Sequence, residues 1–365
     1  MFYSNRSLSP NYVAELALGF IVSNIIDYCL SFCYCYSGPL SEEGILAFIS
    51  QAGIQGAKGD PMKLRTIISI ALASLVLFTV VPFAQAEGLK PFVLGAEPQQ
   101  ADVEQAAAAV RTALQGQGFE VAGSYAPYPN AVVIIVTSEA LKANAAKSDF
   151  GGYGAAMRVA VTKVKDKVQV SYTNPPYWAA AYRMKENLED VKIKLVAALG
   201  KQKEYGSEDG ITEKSLRKYN YMMGMEKFDS LGKHELAEFK TFAEAVSAVE
   251  AGLAAGKAGV TKVYRVDVPG KEETVYGVAI TKGKGADKYV MDYIDFGDIK
   301  STAHLPYEIL VSGNKVYHLY AKFRIAISFP DLSMMGSNSF MSIMSAPGAI
   351  KESLTETVTP VSEKK

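Results

Sequence analysis

The sequence predicts an α+β protein: two tandem copies of a β-α-β-β-(β)-β-β-α unit, each a mostly antiparallel sheet with helices on one face. Three observations predict it. A capped amphipathic helix at 102–114 returns at 241–253 with one offset of 139 residues, so that Asp102 matches Thr241, Gln105 matches Glu244, Val110 matches Val249 and Leu114 matches Leu253. A hairpin returns with one offset of 148, which places 157–163 on 305–311, Asp166-Lys167-Val168 on Asn314-Lys315-Val316 and Tyr172 on Tyr320. A continuously apolar, β-branched run, AVVIIVT at 131–137, has the composition of a strand at the centre of a sheet.

Ahead of these units, residues 62–86 have the three parts of a secretory signal peptide: a basic start at Lys63 and Arg65, an apolar run over 67–81, and the cleavage site Ala84-Gln85-Ala86. Export machinery reads such a segment at an N-terminus. Residues 1–61 are therefore expected to be an upstream, non-native extension, with Met62 as the working start. Two alternatives place a membrane span here. The run 12–36 is long enough for a hydrocarbon core of about 30 Å, but it carries Glu15 and Asp27, costly at that depth. The run 67–83 is at the lower limit for spanning, and the small residues after it favour its removal. Cleavage after Ala86 leaves 279 residues, enough for two domains with their own cores, and the expected destination is a bacterial periplasm.

Cys29, Cys33 and Cys35 all precede that cleavage site, so the expected mature chain has no thiol for a disulfide, a thiolate metal site or a nucleophile. Lysine plus arginine total 38, as do aspartate plus glutamate. This balance gives no basic surface to single out nucleic acid as a partner. Membrane contact is expected only through the uncleaved signal peptide.

In the first repeat, 87–200, a strand at 92–96 leads to the helix at 103–116, which Asp102 caps and Gly116 and Gly118 end. Strands at 119–125 and 131–137 flank a turn with Pro127, Pro129 and Asn130. A looser region covers 138–152. A hairpin pairs 156–164 with 167–173, Asn174-Pro175-Pro176-Tyr177-Trp178 closes it, and a helix at 188–199 completes the unit. A polar linker at 201–234 holds a loop at 206–210 and a short helix at 212–225 with Leu216, Tyr219 and Met223 inward. The second repeat, 235–355, has a strand at 235–239, a helix capped by Thr241 and strands at 260–268 and 274–281. An extra strand follows at 288–296, then the second hairpin and a final helix at 340–354. Residues 356–365 are expected to be a disordered tail.

The strand–helix–strands order, the Leu305-Pro306 start of the second hairpin, the Asn314-Lys315-Val316 turn and the Asn174-Pro175 exit resemble the domain-of-unknown-function-302 family. The resemblance covers about 87–200 and 235–355, and it implies an α+β domain in an exported bacterial protein. It implies no catalytic residue. Where the second copy has Leu305-Pro306 the first has Met157-Arg158, and where the first has Asn174-Pro175 the second has Lys322-Phe323.

Candidate chemistry is sparse. No G-x-S-x-G elbow, H-E-x-x-H pair or P-loop is present. Of the three histidines, His234, His304 and His318, none has a counterpart in the other copy. Tyr172, Asn174, Tyr177 and Trp178 sit beside a rigid turn and, with His318 and Tyr320, are the candidate ligand-binding residues; packing of the last helix on the sheet is the competing explanation. Met222, Met223, Met225, Met334 and Met335 are candidate ligands for a soft metal such as Cu(I). Met341 and Met344 share helical spacing with Phe340 and Ile343, which predicts core packing. Asp292, Asp295 and Asp298 are expected on a solvated sheet edge. The expected function is binding of a small molecule or a periplasmic protein, without catalysis and without a cofactor. Soft-metal binding and a hydrolase with an unrecognised site are the alternatives.

Overall fold

The computed structural model describes residues 88–220 and 226–359, which are α+β and form two antiparallel sheets. In the first half β1 (Phe92–Leu94) leads to α1 (Val103–Gly116). Asp102 Oδ1 accepts the Gln105 N–H at 3.0 Å, and Val103, Ala106, Ala107, Val110 and Leu114 form the buried stripe. Strands β2 (Glu120–Tyr125) and β3 (Ala131–Thr137) follow, and every residue of β3 is buried, as its composition predicts. Then come α2 (Glu139–Lys147), the hairpin β4 (Met157–Val164) and β5 (Lys167–Thr173), α3 (Pro175–Ala181) and α4 (Glu189–Leu199).

The connection carries β6 (Lys203–Tyr205), α5 (Glu213–Arg217) and α6 (Leu231–His234). Strand β6 pairs with β1 and so extends the first sheet. The second half runs β7 (Glu235–Glu238), α7 (Phe242–Ala254), β8 (Val260–Asp267), β9 (Glu273–Ile280), α8 (Asp287–Ile294), β10 (Tyr307–Ser312), β11 (Lys315–His318), α9 (Ala321–Ser328) and α10 (Ala346–Val358). Thr241 Oγ1 accepts the Glu244 N–H at 3.2 Å, the same cap that Asp102 makes.

The strand orders are β2-β3-β4-β5-β1-β6 and β8-β9-β10-β11-β7. Leaving β6 aside, the two sheets share one connectivity. Both hairpins turn through a residue at positive φ, Lys165 in the first and Gly313 in the second. Both edge strands shift register at one residue, Ala122 in β2 and Val263 in β8. A Cβ on Gly123 would lie 2.3 Å from the Val263 carbonyl, so these two bulged edges run against each other.

Four elements differ from the sequence expectation. The region 138–152 holds the helix α2, opened by Ser138, whose Oγ accepts the Leu141 N–H, and the start of a 3-10 turn at Gly151–Gly154. Residues 288–296 hold the helix α8 in place of the extra strand, with Val290, Met291 and Ile294 buried. Pro175-Pro176 opens the helix α3, because the first turn of a helix needs no N–H from either residue. The tail begins later, since α10 reaches Val358 and buries Thr357 and Val358. The second hairpin is also shorter than the first: Tyr172 lies within β5, whereas β11 stops at His318 and Tyr320 precedes α9.

Faces of the two sheets meet, α7 and α10 cover the other side of the second sheet, and α3 and α9 are buried where the halves join. On β10, Tyr307, Ile309 and Val311 belong to the core under α7 and α10, whereas Leu310 belongs to the cluster shared with the first half. The loops after α2 and after α8 each clasp the opposite half. Gly152 N donates to Glu273 Oε1 at 2.7 Å and Lys271 Nζ donates to Ser148 O at 2.5 Å. In return, Thr302 Oγ1 meets Thr162 Oγ1 at 3.0 Å and Tyr128 OH at 2.8 Å, and Gln169 Nε2 donates to Asp298 O at 2.6 Å. No helix among the described residues is long and apolar enough to cross a membrane.

Candidate functional site

Alternation along β4 puts Arg158, Ala160 and Thr162 on the face toward the second sheet, and alternation along β10 puts Glu308 toward the first. Arg158 and Glu308 form a buried ion pair there, with Arg158 Nε left without a hydrogen-bond partner. Arg324, from α9, approaches the same carboxylate at 3.6 Å. Its Nη2 donates to His304 O at 2.5 Å and its Nη1 donates to Ser328 Oγ at 2.8 Å. The Trp178 ring lies under both guanidinium groups, 4.6 Å from that of Arg324 and 5.6 Å from that of Arg158.

His304 completes the network. Ser328 Oγ donates to Arg324 O, so it can accept from Nδ1 of His304 at 2.7 Å, while Nε2 accepts from Tyr307 OH at 3.2 Å. That proton arrangement keeps the imidazole neutral. Burial, then the neighbouring Arg324 and Arg158, hold its pKa well below the usual histidine range. The network joins the two halves and is closed to solvent.

An open cleft of about 330 Å³ lies next to it. Ile294, Phe296, Phe329 and Leu332 supply apolar wall, and Ser207, Glu208 and Asp331 supply polar groups. Phe329 is common to both places, since its ring also stands 5.4 Å from that of His304. Asp331 Oδ2 accepts the Glu208 N–H at 2.6 Å, which ties the connection after β6 to the loop after α9. Phe296 is 59% exposed at the rim. A second hollow, about 420 Å³, lies beside the start of α1 and includes Glu104, Tyr128 and Lys163.

The residues singled out from sequence fall into three places. Tyr172, Asn174, Tyr177 and Trp178 are buried around β1, each tied into the fold. Tyr172 OH donates to Gly200 O at 2.8 Å, Tyr177 OH to Ile327 O at 2.7 Å and Trp178 Nε1 to Pro91 O at 2.8 Å. Asn174 Nδ2 donates to Lys90 O and Glu204 Oε2. His318 and Tyr320 are elsewhere, against the outer helices of the second half. His318 is buried with neither ring nitrogen hydrogen-bonded, and burial followed by His234 and Lys351 lowers its pKa well below the usual range. Met222, Met223 and Met225 lie outside the described residues. Met334 packs against the second core and Met335 is exposed.

Two expectations are corrected. Phe340 and Ile343 are buried, but Met341 and Met344 face solvent, because the segment is a 3-10 turn whose spacing separates the two pairs. Asp292 lies on α8 and Asp295 at its end, not on a sheet edge. Both carboxylate oxygens of Asp295 accept the Ser301 N–H, at 2.9 and 3.0 Å, and burial pushes its pKa up to about 7. Among the described residues no group of three or more His, Cys, Asp or Glu side chains is arranged to hold a metal ion.

Sequence reasoning missed Arg158, Glu308 and Arg324. Each is a charge flanked on both sides by apolar residues, in MRVAVTKV, YEILVS and AKFRIAIS, and that pattern is the signal that marks a buried ionic site. Compared with protein-family models, with curated proteins and with solved structures, the chain matches none.

Proposed function

We propose that this is an exported, non-catalytic binding protein that takes a small, mainly apolar molecule in the cleft where the connection between the halves meets the second half. The observation that carries this reading is the mixed lining of that cleft: Phe296, Phe329 and Leu332 offer an apolar wall and Asp331 an acceptor at its edge. A ligand with an aromatic body and one N–H or ammonium donor suits that lining. The burial of all three histidines favours a non-catalytic role, since His304 and His234 already use their ring nitrogens on protein groups. The shared strand order of the sheets favours an ancestral duplication, and the resemblance to the domain-of-unknown-function-302 family belongs to the same proposal.

The test uses N-phenyl-1-naphthylamine, a neutral aryl amine whose fluorescence rises in apolar surroundings. The full chain is expected to bind one probe molecule. Leu332→Trp, which fills the cleft, should abolish the signal, and Phe296→Ser should weaken it about tenfold, the effect of losing one aromatic wall. Equal binding by the parent and Leu332→Trp would remove the cleft from consideration. The export part is tested by the mass of the secreted protein: processing after Ala86 gives a chain that begins at Glu87, whereas an intact Met1 refutes it.

A further inference from the structure

The segment 332–350 holds four methionines and no charged residue, histidine or cysteine. Its backbone is closed on itself. Phe340 N donates to Ser333 O at 2.9 Å and Met341 N donates to Met334 O at 3.2 Å, which fastens the two ends of the loop side by side. Met344 N donates to Met341 O at 3.3 Å, one turn further on. Two serine hydroxyls brace this framework: Ser339 Oγ donates to Gly336 O at 2.8 Å and Ser342 Oγ to Ser337 O at 2.6 Å. The thioethers point the other way. Met335 is 79% exposed, Met344 59% and Met341 49%, while Phe340 and Ile343 between them are buried.

Large apolar side chains are ordinarily buried, and these three are exposed on one short, internally braced loop. Burying one such side chain stabilises a fold by roughly 1.5–3 kcal/mol, and here that contribution is forgone three times within ten residues. Thioether sulfur is a soft, neutral donor. It binds Cu(I) and other soft monovalent cations in preference to hard divalent ones, and the segment has no carboxylate, imidazole or thiol of its own to compete. The geometry points to a soft-metal site on this loop, in which Met335, Met341 and Met344 hold a Cu(I) or Ag(I) ion. The site is independent of the cleft proposed above, and the proposal differs from the sequence expectation in enlisting Met341 and Met344, which the fold brings to the surface.

The test is anaerobic titration of the full chain with Cu(I) against the chromophoric chelator bicinchoninate. Cys29, Cys33 and Cys35 are replaced by serine so that no thiol contributes. One Cu(I) per chain is expected. Met335→Leu with Met341→Leu and Met344→Leu should weaken binding by more than about tenfold. Leucine keeps the apolar surface, so the fold and any role in docking a partner are preserved. Met222→Leu with Met223→Leu and Met225→Leu should leave the affinity unchanged. Titration with Ag(I), which is redox-inert, should shift the methyl resonances of Met335, Met341 and Met344. Absence of competition with the chelator, undiminished binding by the first triple variant, or methyl shifts confined to other methionines would each overturn the proposal.

Discussion

Arg158 and Glu308 come from opposite halves of the chain and neutralise each other in the interior between the two sheets. Glu308 is the acidic partner that Arg158 finds in the other half. Arg324 shares the carboxylate, so one Glu308 serves two guanidinium groups. Glu308→Gln keeps the shape and strands both cations, and it is expected to destabilise the protein by about 3–5 kcal/mol. Urea denaturation measures this. Arg158→Met combined with Glu308→Gln should cost less than the sum of the single changes, because the first removes one of the stranded charges. Additive effects would show that the pair is not coupled.

Asp287 is buried beside Tyr125, whose OH donates to its Oδ2 at 3.0 Å, and burial pushes its pKa up from 3.8 to about 7. The folded state then holds a proton that the unfolded state releases near pH 4. Stability is unaffected by this group below that pH and falls as the pH rises to 7, where the full cost of about 4 kcal/mol is reached. Asp287→Asn keeps the acceptor for Tyr125 and removes the ionisation. The stability difference between variant and parent should therefore grow in the variant's favour between pH 4 and 7 and level off above. A difference that does not vary with pH would refute this.

His318 behaves in the opposite sense. Its pKa is lowered on folding, so the unfolded state binds the proton first as the pH falls below about 6.5, the usual histidine value. Stability contributed by the neutral ring is present above that pH and is lost as the solution is acidified towards the folded-state value. The charged groups that face it are His234 and Lys351, which add to the penalty for charging. His318→Leu should lessen the loss of stability on the acid side, leaving the part due to His304 and His234, with no loss at pH 7, because no hydrogen bond to the ring is given up. Thermal melting between pH 4.5 and 7.5 checks both statements.

Gly252, within α7, allows the backbone of α10 to approach closely: a Cβ there would lie 1.8 Å from the Thr357 carbonyl oxygen. Gly252→Ala gains helix propensity yet forces the two helices apart. The expected result is a net loss of about 1–3 kcal/mol, read from the denaturation midpoint. A neutral or stabilising outcome would mean that the helices separate freely.

Much of this architecture was written in local pattern. The caps at Asp102 and Thr241, the stripe from Val103 to Leu114 and the buried run of β3 each follow from a few neighbouring residues. The failures have equally local causes. In KYVMDYIDF the β-forming Tyr, Val and Ile hide a helical period: Val290, Met291 and Ile294 are buried, and the rings of Tyr289 and Tyr293, one turn apart, lie tilted at 5.3 Å. The charged network was not legible, because Arg158 and Glu308 meet only through the packing of one whole sheet on the other. The cleft likewise joins Ser207, Phe296 and Asp331, which no short-range pattern connects.

The clasp at Ser148–Gly152 and its counterpart at Asp298–Thr302 have a consequence for how the molecule would respond to cutting. Each half grips the other through main-chain and side-chain bonds that owe nothing to the peptide joining them. A polypeptide nicked in its middle would stay assembled, and its two fragments would travel together through gel filtration until denaturant freed them.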